Sequence, residues 1–272
     1  MLISTPTRIA AAMEAQDAAT RFLDLCLILT RKATGEILLE TGGRWDRVTT
    51  RYSDEQPHGC RIVPLEESQV EFVRWFATWL DDFRQDRPRD TRLVLCGGER
   101  RGGKTFGALF SAVAVALAKP GTIAWLVSPS FPKRDELERT LKSYLPKAWY
   151  VYRDAPVFRF RLANGSIVQS ISADEPDALK RGRADVILFN EPQEMPVTAL
   201  TYGIPATIDR GGLSILAANP PRRQKGEWVL GLKEAIDSKE LAAAKFFGFR
   251  AALNTAIDQE ARQDVGAILR YV

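Results

Sequence analysis

The sequence predicts an α/β fold with a doubly wound, mostly parallel sheet, set behind a small N-terminal appendage. Three observations predict it. From about residue 61 onward, short apolar runs alternate with amphipathic stretches, the pattern of strands linked by helices. A glycine-rich segment lies between one such run and the next amphipathic stretch. No internal repeat or low-complexity tract interrupts the alternation.

The elements follow in order. Thr7 to Thr30 has helical spacing, with Ile9, Met13, Phe22, Cys26 and Leu29 near one stripe. Glu36 to Glu40 and Arg44 to Thr50, joined by Thr41-Gly42-Gly43, form a predicted hairpin. Ser53 to Gly59 is polar and holds Pro57, so it reads as a linker. Residues 1–60 are therefore expected to be an appendage, 61–250 the main domain, and 251–272 a C-terminal helix or linker. In the main domain, Glu66 to Phe83 is an amphipathic helix, Arg92 to Cys96 a strand and Lys104 to Ala118 a helix rich in Ala and Leu. Thr122 to Val127 and Lys133 to Tyr144 are the next strand and helix. Val157 to Leu162 and Ser166 to Ile171 flank Asn164-Gly165, which favours a type I′ hairpin turn. Asp185 to Phe189, Leu213 to Ala218 and Phe246 to Phe249 supply further strands.

Composition narrows the chemistry. The 272 residues are 45% apolar and 26% charged, ordinary for a globular chain with a core. The net charge of +4 is too small to argue nucleic-acid binding alone, so the local clusters Lys180-Arg181-Gly182-Arg183 and Arg222-Arg223-Gln224-Lys225 carry more weight. Cys26, Cys60 and Cys96 have no metal-ligand spacing, and His58 is the only histidine. That argues against a zinc site and a histidine-based triad. Reduced thiols fit a cytoplasmic compartment. The apolar run Phe22 to Leu29 is short, contains Asp24 and lacks a basic flank, so it reads as a buried helix face rather than a signal peptide or membrane span.

Gly98-Glu99-Arg100-Arg101-Gly102-Gly103-Lys104-Thr105 matches G-x-x-x-x-G-K-[ST] in full, after a strand and before a helix. Gly98, Gly102 and Gly103 let backbone N–H groups face an anion, and the helix N-terminus adds its dipole. Lys104 would reach the β- and γ-phosphates of ATP, and the Thr105 hydroxyl would ligate Mg²⁺. A guanidinium at Arg100 or Arg101 could stabilise phosphoryl transfer in cis, or be a solvated loop residue that raises the local potential. Further on, Val186 to Phe189 is an apolar strand that ends in Asn190-Glu191. Its carboxyl end is where ligands bind in open α/β sheets. Glu191 would polarise the attacking water. Asn190 stands where a metal-holding Asp is usual, and its neutral amide predicts weaker Mg²⁺ binding. Asp185, at the opposite end of the strand, cannot replace it.

In this order, Gln69, GGERRGGKT, NGSIVQSISADEPDALKRGRADVILFNEPQEM and LSILAANPP, the chain resembles the ATPase domain of the large terminase subunit of tailed double-stranded DNA bacteriophages. The resemblance spans roughly residues 61–270. It implies a P-loop fold of the RecA/ASCE type and a motor that drives double-stranded DNA into a procapsid. By resemblance, Gln69 contacts adenine, Arg100 is a cis finger, Lys104 and Thr105 hold phosphates and magnesium, and Glu191 is the catalytic carboxylate. Asn219, in Ala218-Asn219-Pro220, senses the γ-phosphate and relays hydrolysis to DNA movement. The implied partners are DNA, the phage portal and procapsid, the small terminase subunit and further copies in a ring, in the cytoplasm of an infected bacterium. Arg222, Arg223, Lys225, Lys180, Arg181 and Arg183 are the candidate DNA contacts. Two departures stand out: Asn190 replaces the usual Asp, and residue 272 comes too early for the family's C-terminal nuclease domain, either because the sequence is a piece of a longer protein or because the nuclease is missing, so no DNA cleavage by this chain is expected. A helicase-like RecA-type ATPase and a nucleotide-binding scaffold with weak hydrolysis are the competing readings.

Overall fold

The structure is a computed structural model that describes residues 36–41, 44–49, 67–100, 102–145, 149–153, 158–180, 182–221 and 226–249. Strands β1 (Glu36–Thr41) and β2 (Arg44–Thr49) pair antiparallel, as the hairpin pattern predicts. The helical part of the expected appendage and the segment 251–272 lie outside the described residues.

The main sheet has eight strands. They are β3 (Leu93–Gly98), β4 (Ile123–Ser128), β5 (Tyr150–Arg153), β6 (Phe158–Leu162), β7 (Ile167–Ser172), β8 (Val186–Asn190), β9 (Leu213–Ala217) and β10 (Ala244–Phe249). Their order is β10-β3-β9-β8-β4-β7-β6-β5. Every pair from β10 to β7 is parallel, while β6 and β5 extend the sheet antiparallel. The central strands β8 and β9 are buried at every position, because parallel strands covered on both faces read as continuous apolar runs.

Helices α1 (Glu67–Arg84), α2 (Lys104–Ala118) and α3 (Phe131–Tyr144) cover one face. α2 is apolar nearly all round because it lies between the sheet and α1. Phe76, Trp79 and Phe83 of α1 stack at helical spacing, with centroids 5.7 and 5.6 Å apart. The Trp79 indole N–H donates to the Thr91 carbonyl at 3.2 Å, which ties α1 to the start of β3. Helices α4 (Val197–Gly203) and α5 (Trp228–Asp237), with 3₁₀ segments at Pro176–Leu179 and Ile204–Arg210, cover the other face. The doubly wound expectation holds.

The turn at Asn164-Gly165 differs from the type I′ expectation. Only Gly165 has a positive φ (86°), and the Gly165 N–H donates to the Leu162 carbonyl at 3.0 Å. The Asn164 amide instead donates to the Ala116 and Leu117 carbonyls, each at 3.0 Å. Asn164 itself lacks the positive φ that a type I′ turn requires at both central positions, and its side chain serves the last turn of α2. None of the described helices is long and apolar enough to cross a membrane.

Candidate nucleotide site

Four chain segments leave the carboxyl ends of neighbouring parallel strands and meet above the sheet, where open α/β sheets place ligands. The first is the glycine-rich loop between β3 and α2. Gly98 has φ 129°, and a Cβ there would lie 2.1 Å from the Phe249 carbonyl oxygen. A Cβ at Gly102 would lie 3.1 Å from Phe249. The loop thus presses against the end of β10, and the Glu99 N–H donates to the Phe249 carbonyl at 3.0 Å. Gly103 caps α2 in the left-handed region, at φ 81°. These positions need glycine, and together they leave the first N–H groups of α2 facing out of the loop.

Lys104 is buried, and its ammonium donates to the carbonyls of Gly98 (2.9 Å) and Glu99. Burial pushes this ammonium down to about 8, while the Glu191 and Glu99 carboxylates pull the other way. The Cys96 thiol beneath it is fully buried and pushed up by burial. Arg100 is exposed in the loop. Arg101 lies outside the described residues.

The second segment ends β8. Thr105 Oγ1 donates to Asn190 Oδ1 at 2.9 Å, joining residues 85 positions apart. Glu191 follows with φ 58° and ψ 50°, a left-handed conformation that costs a non-glycine residue about 1–2 kcal/mol. Backbone strain of this kind concentrates at ligand sites. The third segment follows β9. Asn219 Nδ2 donates to Glu191 Oε1 at 3.3 Å, and the Asn219 N–H donates to Gln193 Oε1 at 3.1 Å. The fourth is the first turn of α3, after β4. Lys133 Nζ lies 3.5 Å from Glu191 Oε2 and 3.5 Å from Glu136 Oε2. The Glu191 carboxylate beside it raises the Lys133 ammonium above the ordinary lysine range. One carboxylate is therefore held from two sides, by an amide on β9's exit and an ammonium on α3.

Lys133 and Gln193 are the residues that sequence reading missed. Lys133 looks like one of several solvated cations in a polar helix, and only the strand order brings it to Glu191. Gln69 lies in the first turn of α1, three residues before Phe72, whose ring lies against Gly107 in α2. That places it at the end of α1 nearest the phosphate loop. Asp185 stands at the far end of β8, where it accepts from the Ile123 N–H at 2.8 Å and pairs with Arg210 at 3.1 Å. Lys180 pairs with Asp177 at 2.6 Å, and Arg183 lies 3.4 Å from Asp209. Arg181, Arg222, Arg223 and Lys225 lie outside the described residues.

The donor set fits a nucleoside triphosphate: backbone amides at a helix N-terminus and a buried ammonium already bonded to carbonyl oxygens. For Mg²⁺ the Thr105 hydroxyl and the Asn190 amide oxygen are adjacent but both neutral. Among the described residues no group of three or more His, Cys, Asp or Glu side chains is placed to hold a metal. Such a pair suits an ion held chiefly by the phosphates of its nucleotide.

Sheet, loop and site together define a P-loop NTPase fold. More particularly, the fold is that of large terminases. It is similar to the large terminase from a thermophilic bacteriophage, with TM-score 0.57 and 14% identity over 74% of this chain and 50% of that one. The same terminase in complex with ADP matches with TM-score 0.55 and 16% identity over 74% and 49% of the two chains. The large terminase ATPase domain of Thermus phage P74-26 matches at 17% identity and TM-score 0.47, over 73% of this chain and 86% of that one. This chain spans about half the length of the full terminase chains it matches. No protein-family model matches the sequence, and no curated protein does.

Proposed function

We propose that the chain is the ATP-hydrolysing motor domain of a viral DNA-packaging machine, one that drives double-stranded DNA into a procapsid. The observation that carries this reading is the bond between Thr105 and Asn190 with Glu191 beside it, which brings the phosphate loop and a catalytic carboxylate to one point. The terminase fold and the ADP complex of its structural neighbour support it.

In this reading the N–H groups at the start of α2 receive the phosphates, and Lys104 turns from the Gly98 and Glu99 carbonyls onto the β- and γ-phosphate oxygens. Thr105 and Asn190 would hold Mg²⁺, which neutralises phosphate charge when bound. Glu191 accepts the proton of a water that attacks the γ-phosphorus as the bond to ADP breaks. Asn219 and Lys133 fix the two oxygens of Glu191, so the order of the exit of β9 and the reactivity of the carboxylate are linked. Arg100 is available in the loop as a cis finger. Gln69 is suited by position to the adenine. Double-stranded DNA, a portal and procapsid, a small terminase subunit and a ring of copies, in an infected bacterial cytoplasm, complete the proposal.

The neutral Asn190 favours a second reading, a nucleotide-binding scaffold with weak hydrolysis. Two variants decide between them. Glu191→Gln should bind ATP as the parent does and lose hydrolysis by about 10²-fold or more, because the carboxylate acts on water and not on the bound nucleotide. Asn190→Asp should lower the Mg²⁺ concentration needed for half-maximal hydrolysis. A parent chain and an Asn190→Asp variant that both bind ATP without hydrolysing it would leave only the scaffold.

A further inference from the structure

The ladders around β9 stop just short of the amide that touches Glu191. The Glu191 N–H donates to the Ala217 carbonyl at 3.0 Å, and the Ala218 N–H donates to the Cys96 carbonyl of β3 at 2.9 Å. Asn219 comes next, and its N–H finds a side chain instead of a strand, donating to Gln193 Oε1 at 3.1 Å. Its own side-chain amide reaches Glu191 Oε1 at 3.3 Å. A main-chain N–H half-shielded from water needs an acceptor, and the acceptor it is given fixes the direction of the backbone there. Gln193 thereby sets where the Asn219 side chain begins, and so whether its amide meets the carboxylate.

Gln193 is itself held in place. After the left-handed residue Glu191, the 3₁₀ segment Pro192–Glu194 closes with the Glu194 N–H on the Glu191 carbonyl at 2.9 Å and the Met195 N–H on the Pro192 carbonyl at 3.1 Å. Gly226, just ahead of α5, packs against it: a Cβ there would lie 2.5 Å from Gln193 Cβ and 3.1 Å from its Cα. The Gly226 carbonyl accepts from the Val229 N–H of α5 at 3.0 Å, so this contact belongs to the start of the helix. Gln193 is only 5% exposed. An apolar side chain of similar size would fill that space without the cost of desolvating an amide, so packing alone does not call for Gln there. The acceptor oxygen does.

We propose that Gln193 is a positioning residue for hydrolysis: its amide oxygen orients Asn219 so that the Asn219 amide holds Glu191 in place to act on water. The inference rests on the ATP-hydrolysis reading and deepens it by one residue. Because Gln193 acts through Asn219, its loss should slow the chemical step and leave nucleotide binding unchanged.

The test is a double-mutant cycle on kcat for ATP hydrolysis by the 272-residue chain. Gln193→Met keeps length and bulk but has no oxygen to accept. It should lower kcat about tenfold, with KM and ATP affinity within about twofold of the parent. Asn219→Ala keeps the backbone N–H and removes the amide on Glu191, and should also lower kcat about tenfold. In the Asn219→Ala background Gln193→Met should cost less than about twofold more, because no amide is left to aim. Gln193→Asn, one methylene too short for the same bond, should repeat the pattern and replaces the Met variant if circular dichroism finds that one unfolded. A residue that only packs would lower Tm and give the same fold-loss in both backgrounds. That additivity, a parent-level kcat in Gln193→Met, or a loss confined to KM would overturn the inference. Glu191→Gln runs alongside. If it loses hydrolysis and Gln193→Met does not, the positioning role falls alone. If Glu191→Gln hydrolyses ATP at the parent rate, or the parent does not hydrolyse it, the ATPase reading fails and takes this inference with it.

Discussion

Lys104 shows how one residue's environment sets a pH dependence. Its ammonium titrates at about 8 because it is buried, while an ordinary lysine stays charged to near 10.5. Phosphate binding requires the charged form. Between about pH 8 and 10.5 the free protein must take up a proton to bind nucleotide, so affinity should fall by up to about tenfold per pH unit. Below that window this group contributes no pH dependence. Stability has the opposite sign within that same window, between about pH 8 and 10.5: the unfolded chain holds more protons than the folded one, so stability from this group rises with pH. Titration calorimetry at pH 6.5 and pH 9, in buffers of different ionisation enthalpy, should find proton uptake only at the higher pH. Equal proton uptake at both values would mean Lys104 is not the phosphate ligand. Glu191 is the opposite case, a group whose backbone strain is sustained because Asn219 and Lys133 fix its side chain.

At the scale of elements, the loop between β3 and α2 is shaped by its packing against β10. Gly98→Ala adds a Cβ 2.1 Å from the Phe249 oxygen at a φ of 129°, and should cost roughly 3 kcal/mol or more. Gly121→Ala shares a positive φ, 76°, but meets nothing within 4 Å, and should cost only about 1–2 kcal/mol. Urea midpoints separate the two, and equal losses would remove β10 from the account of the loop. The loop itself was legible in the sequence because its glycines, lysine and threonine are local. So were most strands, as apolar runs, and α2, whose bounds agree with the pattern from Lys104 to Ala118. β5 was missed because Tyr150–Arg153 is short and half exposed at the sheet edge. α4 and α5 were missed for similar reasons: one is short and follows a proline, the other opens next to the basic segment. Lys133 could not be read in advance, because the meeting of α3 with Glu191 depends on β4 lying beside β8.

For the whole molecule, the candidate site draws its residues from both halves of the sheet. Thr105 belongs to the β3 side and Asn190, Glu191 and Lys133 to the β8–β4 side, with β9 between them. A nucleotide that binds across them should stabilise the domain as a unit. At a hundredfold excess over Kd the gain is about 2.7 kcal/mol. For a domain of this size that raises Tm by roughly 5–10 °C. Scanning calorimetry with ATP or ADP should find this shift in the parent chain and none in Lys104→Ala, whose own Tm should stay near the parent's. A shift that survives Lys104→Ala would place the nucleotide elsewhere.

The Glu99–Phe249 hydrogen bond gives the domain a mechanical property. β10 runs parallel to β3, and its Phe249 carbonyl accepts from the Glu99 N–H of the glycine-rich loop, so the carboxyl end of β10 lies at the lip of the candidate nucleotide site. Tension applied at that end of β10 would act first on this one bond to the loop, ahead of the ladder behind it. Pulling there would open the cradle and loosen its ligand, while a ligand that stiffens the cradle would brace the exit against load. If nucleotide binds at this loop, force on the end of β10 and nucleotide occupancy would act on the same few atoms.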